Sequence, residues 1–315
     1  MDGCGPGPFF LAGGAILSLL FLLSKTDGGL LGVIDLASKD GKMFEKVNWS
    51  WDLGVASGWV ILIGSLFHHL FPLTASQDVV QRYVTTKDEA GAARAIWLNS
   101  FVSVAATGTF FLIGSALFAY YKQNPDKLDP TLPNDAIFPF FIVSALPDGI
   151  AGLVIAGILA AAQSTLSSSI NSIATSVVTD FQHRLQPDRA DRFYLKSARW
   201  VSVIVGAVGT GIAHLMATTD IRSLYTAFLE VIGLFGGTLS ALFILGIFSR
   251  KASGFGVLSG ALASCTGVVI IRFSHPLNAY AYAPIGLTIC IAVGLLASLA
   301  APERKNLAGL TIYNQ

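Results

Sequence analysis

The chain has 315 residues, of which 53% are apolar and only 12% are charged, and its mean hydropathy is +0.64. Because a soluble domain carries about 25% charged residues, this composition is too apolar for one soluble core and indicates a membrane protein. The net charge of +1 argues against a nucleic-acid partner, which needs a basic stripe. The three cysteines, Cys4, Cys265 and Cys290, are scattered and predict neither a disulfide framework nor a metal site.

Eight apolar segments are long enough to cross a bilayer, which takes roughly 17–25 residues. They lie at about 9–25, 53–74, 96–121, 149–181, 199–217, 223–248, 254–273 and 280–302. None shows the strand alternation of a barrel, so the pattern predicts an all-α, polytopic bundle of about eight transmembrane helices. We expect one membrane domain over 9–302, preceded by a Gly/Pro-rich segment at 1–8 and followed by a cytoplasmic tail at 303–315.

The basic residues predict the orientation. With eight crossings, the loops at 75–95, 182–198 and 249–253 share one side with the C-terminus. That side, counted with Arg199, carries 12 Lys and Arg residues, and the other side carries eight. The positive-inside rule places the richer side in the cytoplasm, which predicts a multi-pass protein of the plasma (inner) membrane with both termini inside.

The end of the fourth segment, residues 160–180, is rich in Ser and Thr. A stripe at spacings of three and four is formed by Ala161, Ser164, Thr165, Ser168 and Ser172. Hydroxyls inside a bilayer need partners, and their oxygens suit a hard cation. Spacing alone is equally compatible with a structural role, in which the hydroxyls allow close helix packing or bond to the carbonyl four residues earlier.

Four passages carry a more specific signal. They are SQDVVQRYVTTKD at 76–88, the run at 149–172 followed by TDF, GGTLSALFILGIFSRKA at 236–252, and the GxxxGA motif at 256–261. In order, spacing and topology they resemble the sodium:solute symporter family, which includes sodium/glucose, proline, iodide, monocarboxylate, multivitamin and sialic acid symporters. The resemblance covers nearly the whole chain.

The resemblance implies a leucine-transporter-type fold, in which two inverted five-helix repeats contain broken helices at the bilayer midplane. On this alignment residues 53–248 form the second repeat, 9–25 the last helix of the first repeat, and the final two segments are peripheral. The first four core helices have no counterpart. We therefore expect a partial bundle, the C-terminal two-thirds of such a protein, whose first residues fall in the middle of a helix.

The resemblance also implies site residues. The family's main sodium site falls on the carbonyl of Ala161 and the hydroxyls of Ser164 and Thr165. Ser167 and Ser168 match positions that in some members hold a second sodium ion together with an aspartate from a helix missing here. Apart from sodium, no metal is expected.

Candidate solute-pocket residues follow from the same alignment. They are Ser76, Gln77, Ser103, Leu229 and Glu230. Sugar-carrying relatives have Asn, Lys and Gln where this chain has Ser, Ser and Leu, which argues against a hexose. The QRY phrase and the FILGIF ending resemble the iodide, monocarboxylate and multivitamin branch or bacterial sialic acid carriers, which favours a small organic anion. An intramembrane carboxylate such as Glu230 is a functional candidate by default. The sequence is equally compatible with an ion pair between Glu230 and Arg222, or with a position of this carboxylate at the outer interface.

Two functions of different classes remain. The first is symport of a small organic solute, driven by inward sodium flow through alternating access, with Na⁺, the solute and the bilayer as partners. The second is a truncated, transport-incompetent family member or a membrane sensor scaffold. An enzyme is not expected, because the sequence contains no HExxH motif, nucleophile elbow or paired intramembrane carboxylates.

Overall fold

The structure, a computed structural model, describes residues 7–42, 47–86, 88–219 and 223–301. Over these ranges the regular secondary structure is helical, without a strand. The helices are α1 (Gly7–Lys25), α2 (Gly29–Lys39), α3 (Gly58–Thr74), α4 (Gln77–Val84), α5 (Glu89–Gln123), α6 (Asn134–Ser144), α7 (Asp148–Ser176), α8 (His183–Leu185), α9 (Asp191–Thr218), α10 (Leu224–Phe248), α11 (Gly254–Ser274) and α12 (Ala279–Ala300). A 3₁₀ turn at Pro125–Lys127 and a π-helical segment at Val177–Gln182 complete the regular structure of these ranges.

All eight apolar segments are helices, so the predicted all-α membrane fold is confirmed. By length and composition, six helices of the described ranges can cross a membrane: α5, α7 with its extension to Leu185, α9, α10, α11 and α12. The pair α1 and α2, bent by 81°, supplies a seventh span if it crosses as one unit. Helix α3 has 17 residues, the lower limit for a crossing of roughly 17–25 residues.

Apart from the three-residue α8, three helices lie in stretches where the sequence indicated only connections. They are α2, α4 and α6, of 11, 8 and 11 residues. Each is too short to span a bilayer at 1.5 Å per residue. The predicted Gly/Pro-rich segment at 1–8 is described only from Gly7, where α1 begins. The predicted tail at 303–315 lies outside the described residues.

The chain divides into two compact units, of which the first comprises 1–46 and 81–222. In this unit α1 packs against α7 and α5, and α9 packs against α7. The contact between α1 and α7 is close at Gly157, where an added Cβ would lie 2.9 Å from the backbone nitrogen of Leu11. Only a residue without a side chain allows this approach, which membrane helices use to gain packing contacts.

The bend between α1 and α2 is fixed by glycine and by hydrogen bonds. Gly28 and Gly29 have φ angles of 80° and 55°, values that glycine adopts without the steric cost of a Cβ. The backbone N–H of Asp27 donates to Oε1 of Gln123 over 2.9 Å. An ion pair between Lys122 and Asp40 also links α5 to the end of α2. The turn is therefore held against the C-terminal end of α5.

The second unit comprises 47–80 and 223–315, with α3, α10, α11 and α12 as its main helices. Helices α11 and α12 approach closely at Gly260, where an added Cβ would lie 2.5 Å from the carbonyl oxygen of Cys290 and 2.9 Å from Cα of Gly294. This is the small-residue packing that brings membrane helices together.

A buried hydroxyl relay joins three helices of this unit. The hydroxyls of Thr238 in α10 and Ser264 in α11 lie 2.6 Å apart, and Ser264 donates to the carbonyl of Gly286 in α12 over 2.7 Å. Because Ser264 uses its hydrogen on Gly286, Thr238 must be the donor to Ser264. A relay in which each donor has an acceptor fixes the relative positions of the helices without leaving a buried polar group unpaired.

Three tryptophans cluster before and within the first turn of α3. Trp51 and Trp59 stack with ring centroids 5.1 Å apart and planes 3° apart, and Trp49 meets Trp59 edge-on at 5.3 Å. A role as interfacial anchors fits this position at the beginning of an apolar helix, because Trp is enriched at membrane–water interfaces.

Candidate functional site

The predicted sodium residues all lie on α7, which begins after Pro147 with Asp148 in its first turn. Proline suits this position because it precedes the first hydrogen-bonded turn, and an acidic residue there interacts favourably with the helix dipole. The helix continues through the π-helical segment to Leu185 and is 38 residues long in total. The candidate residues lie near the middle of this length, as a site inside the membrane requires.

Ala161 and Thr165 form the central pair of the site. The Thr165 hydroxyl donates to the carbonyl oxygen of Ala161 over 3.1 Å. This bond uses the hydroxyl hydrogen and leaves lone pairs on the Thr165 oxygen, which lies beside the Ala161 carbonyl on one face of α7. Hard cations bind through such oxygen ligands, so the geometry suits the predicted chemistry.

The other hydroxyls of the stripe differ in exposure and bonding. Ser167 donates to the carbonyl of Ser164 over 3.0 Å, one turn earlier. The hydroxyl of Ser164 has no hydrogen-bond partner in the described part of the chain. Ser164, Thr165 and Ser167 are exposed and Ser168 is half-buried, whereas Ser172 is buried. Of the structural alternative, close packing therefore applies to Ser172 and the bond to the carbonyl four residues earlier applies to Thr165. Neither applies to the exposed hydroxyl of Ser164.

Ser76 and Gln77 lie at a break between two helices. Helix α3 contains Pro72 and ends at Thr74, and α4 begins at Gln77. The Ser76 hydroxyl donates to the carboxylate of Asp78, and the Ser76 carbonyl accepts from the N–H of Val80 over 2.9 Å. Ser76 thus starts α4 and is half-buried, while Gln77 is exposed. Asp78 belongs to the beginning of α4 and interacts with Ser76; the side chain of Arg82 lies outside what is described.

The remaining solute candidates are distributed over both units. Ser103 is exposed on α5 in the first unit, and Leu229 is buried on α10 in the second. Glu230 forms an ion pair with Arg272 of α11, in which the Nη2 to Oε2 distance is 3.1 Å. Arg222, the partner considered from the sequence, lies outside the described residues.

Sequence reasoning missed Arg272 as the partner of Glu230. The only available signal was a basic residue in the last turn of an otherwise apolar helix. It also missed the contacts of Tyr280, whose hydroxyl lies 3.0 Å from that of Tyr225 and whose ring meets the buried His68 edge-on. Nε2 of His68 lies 3.3 Å from the carbonyl of Ala279, while the exposed His69 bonds to Ser65 of its own helix. The two histidines therefore have separate packing roles.

Apolar helices of membrane-spanning length define a multi-pass membrane protein. The oxygen-rich face of α7 and the break between α3 and α4 are typical of the transporter class. The family model described as "Sodium:solute symporter family" matches residues 35–264. The chain belongs to the sodium:solute symporter family, as its motifs predicted.

Two curated relatives match along almost the whole chain. The sodium/sialic acid symporter NanT of Aliivibrio fischeri is 36% identical over 294 residues, which are 93% of this chain and 57% of that protein. The sodium/sialic acid symporter SiaT of Proteus mirabilis is 36% identical over 297 residues, 94% of this chain and 60% of that protein. The chain thus spans about three-fifths of the length of these relatives.

A solved structure supports the fold. It shows a Na⁺-coupled sialic acid symporter in a substrate-bound outward-open state with a novel Na⁺ site, and it is 34% identical to this chain. The TM-score is 0.85, and the match covers 95% of this chain and 61% of the other. The predicted leucine-transporter-type bundle is thereby confirmed for the part of the fold that this chain contains.

Proposed function

We propose that the chain serves in sodium-coupled symport of a small organic anion, and that a sialic acid or a similar sugar acid is the first cargo to test. The observation that carries this proposal is the exposed oxygen face of α7, in a chain 36% identical to two sodium/sialic acid symporters. Inward sodium flow supplies the driving force, and alternating access moves the solute. The relatives favour this function over a membrane sensor scaffold.

The sodium ion is assigned to the Ala161 carbonyl and the hydroxyls of Ser164 and Thr165. Support comes from the adjacent oxygens of Ala161 and Thr165 and from the Ser164 hydroxyl, which no described residue occupies. Ser167 and Ser168 are assigned to a second sodium ion. Neutral oxygens suit a monovalent cation, because each ligand adds attraction without the desolvation cost of a further buried charge.

The residues proposed to contact the solute are Ser76, Gln77, Leu229 and Glu230 of the second unit and Ser103 of the first. The charge of Glu230 would repel an anionic solute if it were unpaired. Its ion pair with Arg272 removes this objection, because the pair as a whole is neutral. The Ser76 hydroxyl is already engaged by Asp78, so Ser76 contributes to solute binding mainly by holding the start of α4.

The proposed arrangement in the membrane has both termini in the cytoplasm and a single membrane domain over 9–302. The excess of Lys and Arg on one side, 12 against eight, supports the orientation. The plasma (inner) membrane follows from a role in solute uptake.

The test is uptake by the purified full chain in proteoliposomes under an inward sodium gradient. The panel contains sialic acid, simpler carboxylates, proline and glucose, and an equal potassium gradient serves as the control. Sodium-dependent accumulation of an acid is expected. Accumulation of proline or glucose would exclude the anion assignment, and failure of every solute in folded protein would favour the transport-incompetent alternative.

Ser164→Ala, Thr165→Ala and Ser169→Ala form the matched variant set for the sodium site. Ser169 is an exposed hydroxyl on the same helix that is not among the residues assigned to a sodium ion. The first two variants should lose most of the sodium response while Ser169→Ala keeps it. An equal effect of all three would remove the site assignment.

A further inference from the structure

A cavity in the first unit remains unused by the proposed transport. Its volume is about 530 Å³, and it lies where the C-terminal ends of α1, α5 and α6 meet the 3₁₀ turn at Pro125–Lys127. Its charged lining residues are Lys25 and Lys127. None of its lining residues is a sodium or solute candidate, so it is separate from the sites assigned above.

The two lysines have aromatic rings as neighbours in place of carboxylates. Nζ of Lys25 lies 5.7 Å from the centroid of the Phe21 ring, and Nζ of Lys127 lies 5.5 Å from that of Tyr120. Neither forms an ion pair within the described ranges. Lys39 of α2, by contrast, is paired with Asp35. The charge of the two cavity lysines is therefore available to a ligand, and the rings restrict where each ammonium group lies.

The polar side chains of the cavity add hydrogen-bond donors. The amide nitrogen of Asn124 donates one hydrogen to the carbonyl of Tyr120 over 3.0 Å and has a second hydrogen to offer. The hydroxyl of Tyr121 is buried without a well-formed hydrogen bond, although Ser144 lies beside it. The Ser144 hydroxyl donates to Phe140 over 2.7 Å. Donors together with two cations make this a lining for an oxyanion.

The aromatic floor of the cavity is packed in place. Phe141 is fully buried, and its ring centroid lies 5.6 Å from that of Tyr120 and 6.3 Å from that of Phe21. Since these rings cannot move without opening the core, the site is preformed, which lowers the entropy cost of binding.

We propose that this cavity binds an organic oxyanion, a carboxylate or phosphate carried on a body of about monosaccharide size. The volume lies within the roughly 300–1,000 Å³ typical of small-molecule sites. The ligand can come from two sources with the same chemistry, a soluble sugar acid or the headgroup of an anionic lipid. The inference holds whether or not the chain transports, because it concerns binding at lysines that the sodium and solute sites do not use.

The test measures binding in potassium buffer, so that the proposed sodium site does not contribute. The probes are sialic acid and glycerol 3-phosphate, titrated by calorimetry into the purified full chain in a neutral detergent. Native mass spectrometry of chain purified with phosphatidylglycerol measures retention of the lipid. The variants are Lys25→Gln, Lys127→Gln and their combination, with Lys39→Gln as a control for charge loss outside the cavity.

At least one probe should bind, and the double variant should weaken it by about tenfold or more, as expected for lost hydrogen bonds to charged groups. Lys39→Gln should leave affinity unchanged. Calorimetric binding indicates a soluble ligand, and lipid retention alone indicates a headgroup. If no probe binds, or the double variant binds as well as the parent chain, the proposal is wrong. Loss of sodium-driven uptake without a change in these affinities would instead concern the proposed function.

Discussion

Arg272 of α11 donates from both Nε and Nη2 to the same carboxylate oxygen of Glu230 in α10, each over 3.1 Å. The pair is partly shielded, since the two side chains are 37% and 28% exposed. Inside an apolar helix bundle a carboxylate without its partner is costly. The interaction therefore allows α10 to carry an acidic residue within a helix that is otherwise almost entirely apolar.

Removing one partner of this pair should destabilise the chain. We expect Arg272→Ala or Glu230→Gln to lower the free energy of unfolding by about 1–2 kcal/mol, below the 3–5 kcal/mol of fully buried pairs because both side chains are partly exposed. The double variant should regain part of the loss. Thermal unfolding in micelles measures the effect, with Asp35→Asn, which breaks an exposed pair, as the near-neutral control. Equal effects at the two pairs would contradict this account.

The hydroxyl of Thr165, which contacts the Ala161 carbonyl, can be tested by two substitutions that separate side-chain shape from sodium coordination at the proposed site. Thr165→Ser keeps an oxygen at the same position and should keep most of the sodium affinity, whereas Thr165→Val keeps the shape and removes the oxygen. We expect Thr165→Val to raise the sodium concentration for half-maximal uptake by about tenfold, the cost of one missing ligand. If Val and Ser behaved alike, shape and not coordination would explain the residue.

Helices α11 and α12 should be sensitive to any side chain at Gly260. A Cβ there lies 2.5 Å from the Cys290 carbonyl oxygen, so Gly260→Ala must separate two backbones. We expect a loss of about 1–3 kcal/mol, as for an overpacked core. Gly246→Ala in α10 is the matched control, because nothing lies within 4 Å of its added Cβ. Unfolding midpoints should fall for the first variant only, because Gly→Ala at an open helical position is neutral or stabilising. A fall of the same size in the control would contradict the explanation by close backbone contact.

The hydroxyl relay through Ser264 predicts a loss of similar kind. Ser264→Ala removes the acceptor of Thr238 and the donor to Gly286, so two buried groups lose their partner. A loss of about 1–3 kcal/mol is expected. Ser259→Ala changes a half-buried serine of the same helix that bonds only to the backbone of its own helix, and it should be nearly neutral. If Ser264→Ala unfolded at the same temperature as the parent, the relay would be dispensable.

Long apolar runs were enough to locate the eight main helices, because a bilayer requires such runs whatever the neighbours are. The shorter helices could not be found in this way. Helix α2 has 11 residues, and α6 contains Pro139, which normally argues against a helix interior. The N-terminal end of α5 extends to Glu89 because Asp88 caps it by accepting from Gly91, although its first residues are charged or small.

For the candidate sites, the stripe on α7 could be derived from helical spacing, but the choice of Ser164 and Thr165 within it came from the family motif. The ion pair of Glu230 could not be predicted from the sequence, because Arg272 lies 42 positions away on another helix. Contacts at such separation depend on how α10 and α11 pack, and that packing depends on glycines whose role local spacing does not reveal. The same holds for the lysine-lined cavity, which combines residues of four segments.

The length of α7 has a mechanical consequence. From Ser164 to Leu185 the helix extends over about 21 residues, or roughly 32 Å at 1.5 Å per residue. A tilt of about 10° at the proposed sodium-binding residues would therefore shift its far end by roughly 5–6 Å. The far end contacts α9, because the side-chain amide of Gln182 donates to the Ser197 hydroxyl and the His183 ring stacks on the Tyr194 ring. If the proposed cation site is correct, a small rearrangement around the ion would become a displacement of the far end that a spectroscopic label at Leu185 can detect.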